Sequence, residues 1–312
     1  MSGSPQILIS CVVRLPLSGE AVYPRINSPR KYKEKALYFR MYNHFGKRKT
    51  VKLNEAPVWT TYPNILSGYR NNEVYSSYSV CVHSLFEFHT ETGNVWTMIL
   101  AIITSMTLYI YAEVSLRLNK NDRAIFVCFM LSCVLHAPLS IGYHLFMPIS
   151  PDINLTWRRL DTGGVFVVSV LLTFALGRPV LPTPILFAVI LSSTTTAALG
   201  VKEVLSWQSD KVIERKYLSR LISCAVLNYL FPTMYYVVRH LISNNSLDFS
   251  CIAVLGMIIS LTSGCIIFDY GFPQNIYKGK SLITSHQIMH LSLISAHLCE
   301  YAFIFSRVET AY

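Results

Sequence analysis

Seven stretches of this chain are each long and apolar enough to cross a lipid bilayer, and they leave little freedom in what it can fold into. A spanning helix needs about 20 mostly apolar residues. Such runs lie at roughly 95–116, 124–147, 163–178, 180–200, 220–241, 249–269 and 287–306. In hydrocarbon every backbone N–H and C=O must be bonded within the protein, so isolated runs of this length become helices rather than open sheet. Composition agrees: 52% of the 312 residues are hydrophobic, only 14% are charged, and mean hydropathy is +0.39. A soluble domain carries about 25% charged residues. The expected fold is therefore an all-α seven-transmembrane helix bundle, with residues 1–75 as a basic tail and 76–312 as the membrane domain.

Charge orients the bundle. Cytoplasmic loops carry the excess of Lys and Arg, and 21 of the 27 fall on one side: the tail, Arg158, Arg159, the loop from Lys202 to Arg220, and Lys278 with Lys280. The opposite side has Arg117, Lys120, Arg123, Arg178, Arg239 and Arg307. The N-terminus is expected in the cytoplasm and the C-terminus outside or in the lumen, opposite to a G-protein-coupled receptor. Glycan on the Asn154 sequon would overturn that orientation, whereas the Asn244 sequon lies in an expected outer loop. The net charge of +10 does not imply nucleic acid, because spans separate the basic residues. The basic and aromatic run at 29–52 reads equally as a lipid-binding or a solvated tail. Eight cysteines without CxxC spacing suggest neither a disulfide framework nor a Cys-type zinc site. The first twenty residues lack a basic start, so no cleaved signal peptide is expected.

The polar residues inside these spans gather at one end. TSHQIMHLSLISAH at 284–297 places His286 and His290 one turn apart on a helix face, a spacing by which two imidazoles grip one metal. SIGYHLFM puts His144 at the end of the second span, with Ser140 one turn deeper on the same side. WRRLDTGG puts Asp161 at the expected start of the third. Catalytic zinc takes three protein ligands and leaves a fourth position for water. His144, His286 and His290 fit the first requirement, and Asp161 is placed to orient the water and take its proton. Spacing alone leaves Zn2+ and ordinary packing as evenly weighted readings. His136, beside Pro138, and His297, about 10 Å deeper than His290, read as rings bonded to neighbouring helices. Glu300 is expected to pair with Arg239 or Arg178, or to be wetted, and Glu113 and Asp269 to be interfacial. Before the first span, HSLFEFHTETGNVWT at 83–97 reads as an interfacial helix, with Thr92-Gly93-Asn94 as a turn and cap and Trp96 as an anchor. Glu91 and Asn94 are candidates to support the metal ligands from behind, though capping is the simpler reading.

Over about residues 65–306 the chain resembles the progestin and adipoQ receptors, kin to the haemolysin III proteins and the alkaline ceramidases. The likeness rests on SLFEFHTETGNVWT, on SIGYHLFM followed by LDTGG, and on SHQIMH, with GYR at 68–70 as the usual lead-in. Met98, where the first motif commonly ends in histidine, and FPQNIYKGK at 272–280 depart from the pattern. The resemblance implies zinc near the cytoplasmic side held by His144, His286 and His290, with Asp161 holding the water and Ser140 assisting a developing oxyanion.

The expected function is a zinc-dependent amidase cleaving ceramide-like membrane lipids to a sphingoid base and a fatty acid. Its alternatives are a receptor for a steroid or adiponectin-type ligand with a structural zinc, and a membrane trafficking adaptor. The partner is a membrane lipid or hydrophobic ligand, with no nucleic acid. The resemblance implies the Golgi or another endomembrane, with the plasma membrane as the alternative.

Overall fold

The computed structural model describes residues 48–116, 118–208, 215–277, 279 and 283–309. Most of the basic run at 29–52, and Arg117, Lys211, Lys278 and Lys280 from the charge count, lie outside the described residues. A short antiparallel pair comes first, β1 (Thr50–Lys52) with β2 (Ser67–Arg70), enclosing a 3-10 turn at Val58–Thr60. A short helix α1 (Tyr78–His83) follows, and then seven long ones: α2 (Thr92–Leu116), α3 (Lys120–Phe146), α4 (Pro151–Gly177), α5 (Thr183–Ser206), α6 (Arg215–Asn244), α7 (Phe249–Tyr270) and α8 (Ser285–Glu309). All seven long helices contain a stretch long and apolar enough to cross a membrane, as the apolar runs implied.

Local chemistry sets the helix ends. Asn119 caps α3 by accepting from the Asn121 and Asp122 amides, and Asp248 caps α7 by accepting from Cys251 N–H at 2.8 Å. Helix α7 stops at Gly271, whose φ of +62° is the left-handed turn that releases the chain. Helix α4 corrects the sequence reading most. It starts at Pro151, twelve residues before the expected 163, because Ser150 Oγ accepts from Ile153 N–H and Pro151 occupies the first helical position. The charged WRRLD segment made an apolar-run reading stop short, yet it lies inside the helix. Asn154 is consequently buried in the first turn of α4. Asn244, at the exposed end of α6, keeps its surface position.

The helices close into a bundle in which α2 packs on α3 and α8, α3 on α4, α4 on α5 and α6, and α7 on α8. One core cluster gathers Phe126, Phe129, Met257, Tyr301, Phe303 and Ile304 in its middle, and a second surrounds Phe166 and Trp207 between α4, α5 and α6. Close approach depends on small residues. A Cβ on Gly142 of α3 would lie 1.9 Å from Trp157 Cζ3 of α4.

Residues 48–91 cover the end of the bundle where α3 finishes and α2, α4 and α8 begin. Trp59 Nε1 donates to Met147 O at 3.0 Å, Tyr69 Oη donates to backbone carbonyls at Tyr62 and Ile65, and Leu66 N–H donates to Gly279 O at 2.9 Å. Residues 48–75, expected as the end of the tail, are thus folded onto the membrane domain. The segment at 83–97 also differs from the interfacial helix expected. It holds the end of α1, a 3-10 turn at Ser84–Phe86 and the first turn of α2, so Thr92-Gly93-Asn94 opens a spanning helix instead of making a turn. Trp96 remains partly exposed and donates to Leu85 O at 3.0 Å.

Candidate metal centre

Three histidines from two helices meet beneath the cap. His144 stands two residues before the end of α3 and is fully buried, while His286 and His290 lie on the first two turns of α8. One ring nitrogen from each lies within 4.8 Å of the others. Their ring centroids are 5.0 Å apart for His144 and His286, 5.5 Å for His144 and His290, and 4.6 Å for His286 and His290.

Partners on the far side of two rings fix which nitrogen faces inward. His144 Nδ1 lies 2.8 Å from Glu91 Oε2, and a carboxylate only accepts, so Nδ1 carries the proton and Nε2 keeps its lone pair. His290 Nδ1 lies 3.0 Å from Thr97 Oγ1. That hydroxyl points its one proton at the Gly93 and Asn94 carbonyls, both at 2.9 Å, so it accepts from His290. His144 Nε2 and His286 Nδ1 are buried without a hydrogen-bond partner. Orphaned imidazole nitrogens are costly in a dry interior. Neutral rings converging on one point, with their outer N–H groups held by a carboxylate and a hydroxyl, are the donor set that fits a divalent transition metal.

Glu91 and Asn94 stand behind the His144 ring, the arrangement that the sequence left second to capping. Glu91 is buried, and Asn94 Nδ2 donates to the same Oε2 at 2.8 Å. Burial works against the Glu91 charge, but the His144 ring and the Asn94 amide outweigh it and hold the carboxyl down at about 2. The neighbouring His89 braces the backbone at this point. Its Nε2 donates to Ser84 O and its Nδ1 accepts from Glu91 N–H, both at 3.1 Å, and burial followed by the Arg70 charge lowers its pKa to about 3, so it stays neutral.

Sequence reasoning missed Arg70, which the GYR lead-in could have flagged. Arg70 is buried, and it donates to the carbonyls of His144 at 2.5 Å and Leu145 at 2.7 Å and to Ser84 Oγ at 3.1 Å. It therefore caps the unsatisfied C-terminus of α3 at the very residue that carries one of the three rings. Thr97 and His89 were also missed, since each reads as an ordinary polar residue at a span boundary.

Asp161 sits differently from the expectation. Because α4 begins at Pro151, Asp161 lies ten residues into the helix instead of at its start. Its Oδ1 is 3.2 Å from His136 Nε2, and the group of ring nitrogens within 4.8 Å of one another does not include it. Ser140 is buried one turn before His144 on α3. Deeper in the bundle His297 stacks on Phe129, with centroids 3.9 Å apart, and bonds Glu300 at 3.2 Å and Ser105 at 3.1 Å. Glu300 is thus buried and bonded within its own helix, not to an arginine across the bundle. Glu113 pairs with Arg123 at 2.7 Å. A second group within 4.8 Å, His240, Asp248 and Cys251, lies at the opposite end. Its carboxylate is already committed to Arg307 at 3.4 Å, to the Tyr236 hydroxyl and to the Cys251 amide, so it reads as a charge network.

Comparison with known proteins assigns the chain to a family. The haemolysin-III related family matches residues 86–301, a range that contains all three histidines. An uncharacterized protein of Schizosaccharomyces pombe is 27% identical over 86% of this chain and 61% of its own length. The adiponectin receptor protein of Drosophila melanogaster is 23% identical over 72% of this chain and 52% of its own, and progestin and adipoQ receptor-like protein 1 of Caenorhabditis elegans is 23% identical over 81% and 59%. The chain thus spans roughly half to three fifths of the length of these curated relatives. With seven apolar helices and a match over most of its length, the chain belongs to the haemolysin-III related family and, within it, to the progestin and adipoQ receptors.

Proposed function

We propose that the three-histidine centre holds zinc and that the protein is an intramembrane hydrolase cleaving the amide bond of ceramide-like lipids. The observation that carries this reading is the convergence of His144, His286 and His290, with orphaned ring nitrogens, at one end of an apolar bundle. His144, His286 and His290 would be the ligands, and bound zinc would supply a water of pKa about 7 and polarise the amide carbonyl. Glu91 and Thr97 keep the imidazoles in the binding tautomer. Asp161 takes the proton of the attacking water and returns it to the amine leaving group, so that a fatty acid and a sphingoid base result. Ser140, one turn from His144, donates toward the oxygen of the carbonyl under attack. Substrate enters from the bilayer, in which its acyl chains already reside.

The same reading puts the histidine end of the bundle on the cytoplasmic side, by the Lys and Arg count, and the protein in the Golgi or another endomembrane. A receptor reading is favoured by one observation, the similarity to the Drosophila adiponectin receptor protein; there zinc would be structural and a lipid or protein ligand would shift the bundle. Purified protein incubated with ceramide, with and without a chelator and beside Asp161→Ala and His290→Ala, separates the two. Chelator-sensitive release of sphingosine, lost in both variants, is the expected result. Retained zinc and ligand binding with no release above the variants refutes the hydrolase and favours the receptor.

A further inference from the structure

His136 takes no part in the centre described above, yet it holds the one acid to which that chemistry assigns a proton. Its Nε2 is 3.2 Å from Asp161 Oδ1 and also 3.2 Å from the carbonyl oxygen of Asp161. Both oxygens accept, so Nε2 carries the proton and donates to the carboxylate and the backbone of a single residue. Packing between α3 and α4 makes that reach possible. Gly164, one turn beyond Asp161, leaves the space into which His136 fits; a Cβ there would lie 3.0 Å from His136 Cδ2 and 3.0 Å from Leu139 Cδ1. His136, Ser140 and His144 follow at successive four-residue steps, so one face of α3 carries the ring that holds Asp161, the hydroxyl and the metal ligand in line. The ring and the carboxylate each keep 20% of their side-chain surface accessible, while Ser140 and His144 are sealed.

We propose that His136 is the positioning residue for the Asp161 carboxylate. An aspartate turns about two side-chain bonds, and a donor on one carboxylate oxygen fixes the plane of the group and so the direction of the second oxygen. This rests on the hydrolase reading for its consequence on rate, and on geometry alone for its consequence on the carboxylate. A positioned base misplaced by about 1 Å loses on the order of 100-fold in rate. A ring that merely fills space between α3 and α4 would instead change stability and leave the folded fraction fully active.

The test uses full-length protein in lipid nanodiscs with ceramide as substrate. His136→Ala is expected to lower kcat by about 10- to 100-fold, with KM within about threefold and zinc content unchanged. His136→Gln, whose amide N–H reaches close to the place of Nε2, is expected to recover most of that loss, and His136→Phe, which fills the volume without a donor, is not. Addition of His136→Ala to Asp161→Ala is expected to cost nothing more, because the two act as a unit. Full activity of His136→Phe overturns the proposal. A second readout does not need turnover: 15N NMR of histidine-labelled protein, with the His136 signal assigned by its loss in His136→Gln. That signal is expected to show one Nε2–H tautomer in wild type; in Asp161→Ala the residue-161 carbonyl still accepts, so the tautomer is kept but the Nε2 resonance is expected to shift as the carboxylate bond is lost, and an unchanged Nε2 shift overturns the dyad. If wild type releases no sphingosine, the hydrolase reading fails by itself and the Nε2 measurement decides the positioning of Asp161.

Discussion

Glu91 offers the sharpest test of how the centre is built, because two substitutions separate its charge from its accepting oxygen. Oε2 lies 2.8 Å from both His144 Nδ1 and Asn94 Nδ2, and the residue is buried, so solvent does not screen either bond. A hydrogen bond to a charged partner contributes about 1.5–3 kcal/mol, and loss of a group that orients a metal-bound histidine typically costs 10- to 100-fold in affinity. The two figures agree, since tenfold corresponds to about 1.4 kcal/mol. Glu91→Ala is therefore expected to weaken zinc binding by 10- to 100-fold. Glu91→Gln keeps an acceptor for His144 but not the charge, and neutral hydrogen bonds are roughly half as strong. A loss of about tenfold or less is expected for it. Competition with a chromophoric chelator on purified protein gives both affinities, and thermal melts with and without zinc give an independent value through mass action. Glu113→Gln, at the opposite end of the bundle beside Arg123, serves as the control. If both Glu91 variants bind zinc within about twofold of wild type while His144→Ala abolishes binding, the carboxylate does not orient the ring and the reasoning fails.

Arg70→Met strands the His144 and Leu145 carbonyls in a buried site and is expected to cost about 3 kcal/mol in denaturant unfolding. Arg70→Lys is expected to restore only part of this, because an ammonium lacks the planar fork. Gly142→Ala drives a Cβ into Trp157 and is expected to cost about 1–3 kcal/mol in the same assay, less in a Trp157→Leu background. Burial works against the charge of Glu87, but Lys49 at 2.7 Å and the Tyr75 hydroxyl hold its carboxyl below the usual range. A depressed acid contributes stability above the ordinary glutamate value of about 4.3 and loses it as pH falls toward the folded value. Protection of the amides of residues 66–75, taken relative to the intrinsic exchange rate at each pH, is therefore expected to fall below about pH 4.3, by no more than the 1 kcal/mol or so of an exposed pair. Lys49→Met should flatten that response.

How much of this was legible in the sequence differs by element. The seven spans were readable because hydrocarbon solvent imposes length and apolarity on every helix, a constraint that composition records directly. The pair His286 and His290 was readable because both rings sit on one helix, where spacing fixes geometry. His144 was found by depth, since the end of its span is marked by the change to MPISPD. The start of α4 was misread because charge inside a helix looks like a loop to an apolar count, although Ser150-Pro151-Asp152 is an ordinary helix-start signal. That one error moved Asp161 to the helix end and hid its contact with His136. The cap was not readable at all. Its contacts join residues far apart in the chain, such as Arg70 to Leu145 and Trp59 to Met147, and no periodicity records them.

The cap nonetheless explains how a ligand can be held so near the end of a helix. The last four carbonyls of α3 have no partners within it, so His144, two residues from its end, would ride on fraying backbone. Arg70 takes the carbonyl of His144 itself and that of Leu145, Trp59 holds Met147 O in the following turn, and Glu91 holds the His144 ring. Backbone and side chain of one ligand are therefore both fixed by residues 59–91, outside the helix that carries it. With zinc held as proposed, cap order and metal binding would form a single linked equilibrium. Whatever free energy zinc contributes to closing the cap, an ordered cap must contribute to zinc affinity, because coupling between two binding events is reciprocal. By this linkage Arg70, which bonds the His144 and Leu145 carbonyls and no ring nitrogen, would tune the proposed centre through the helix end, and a loosened cap would weaken the site without altering one of the three histidines.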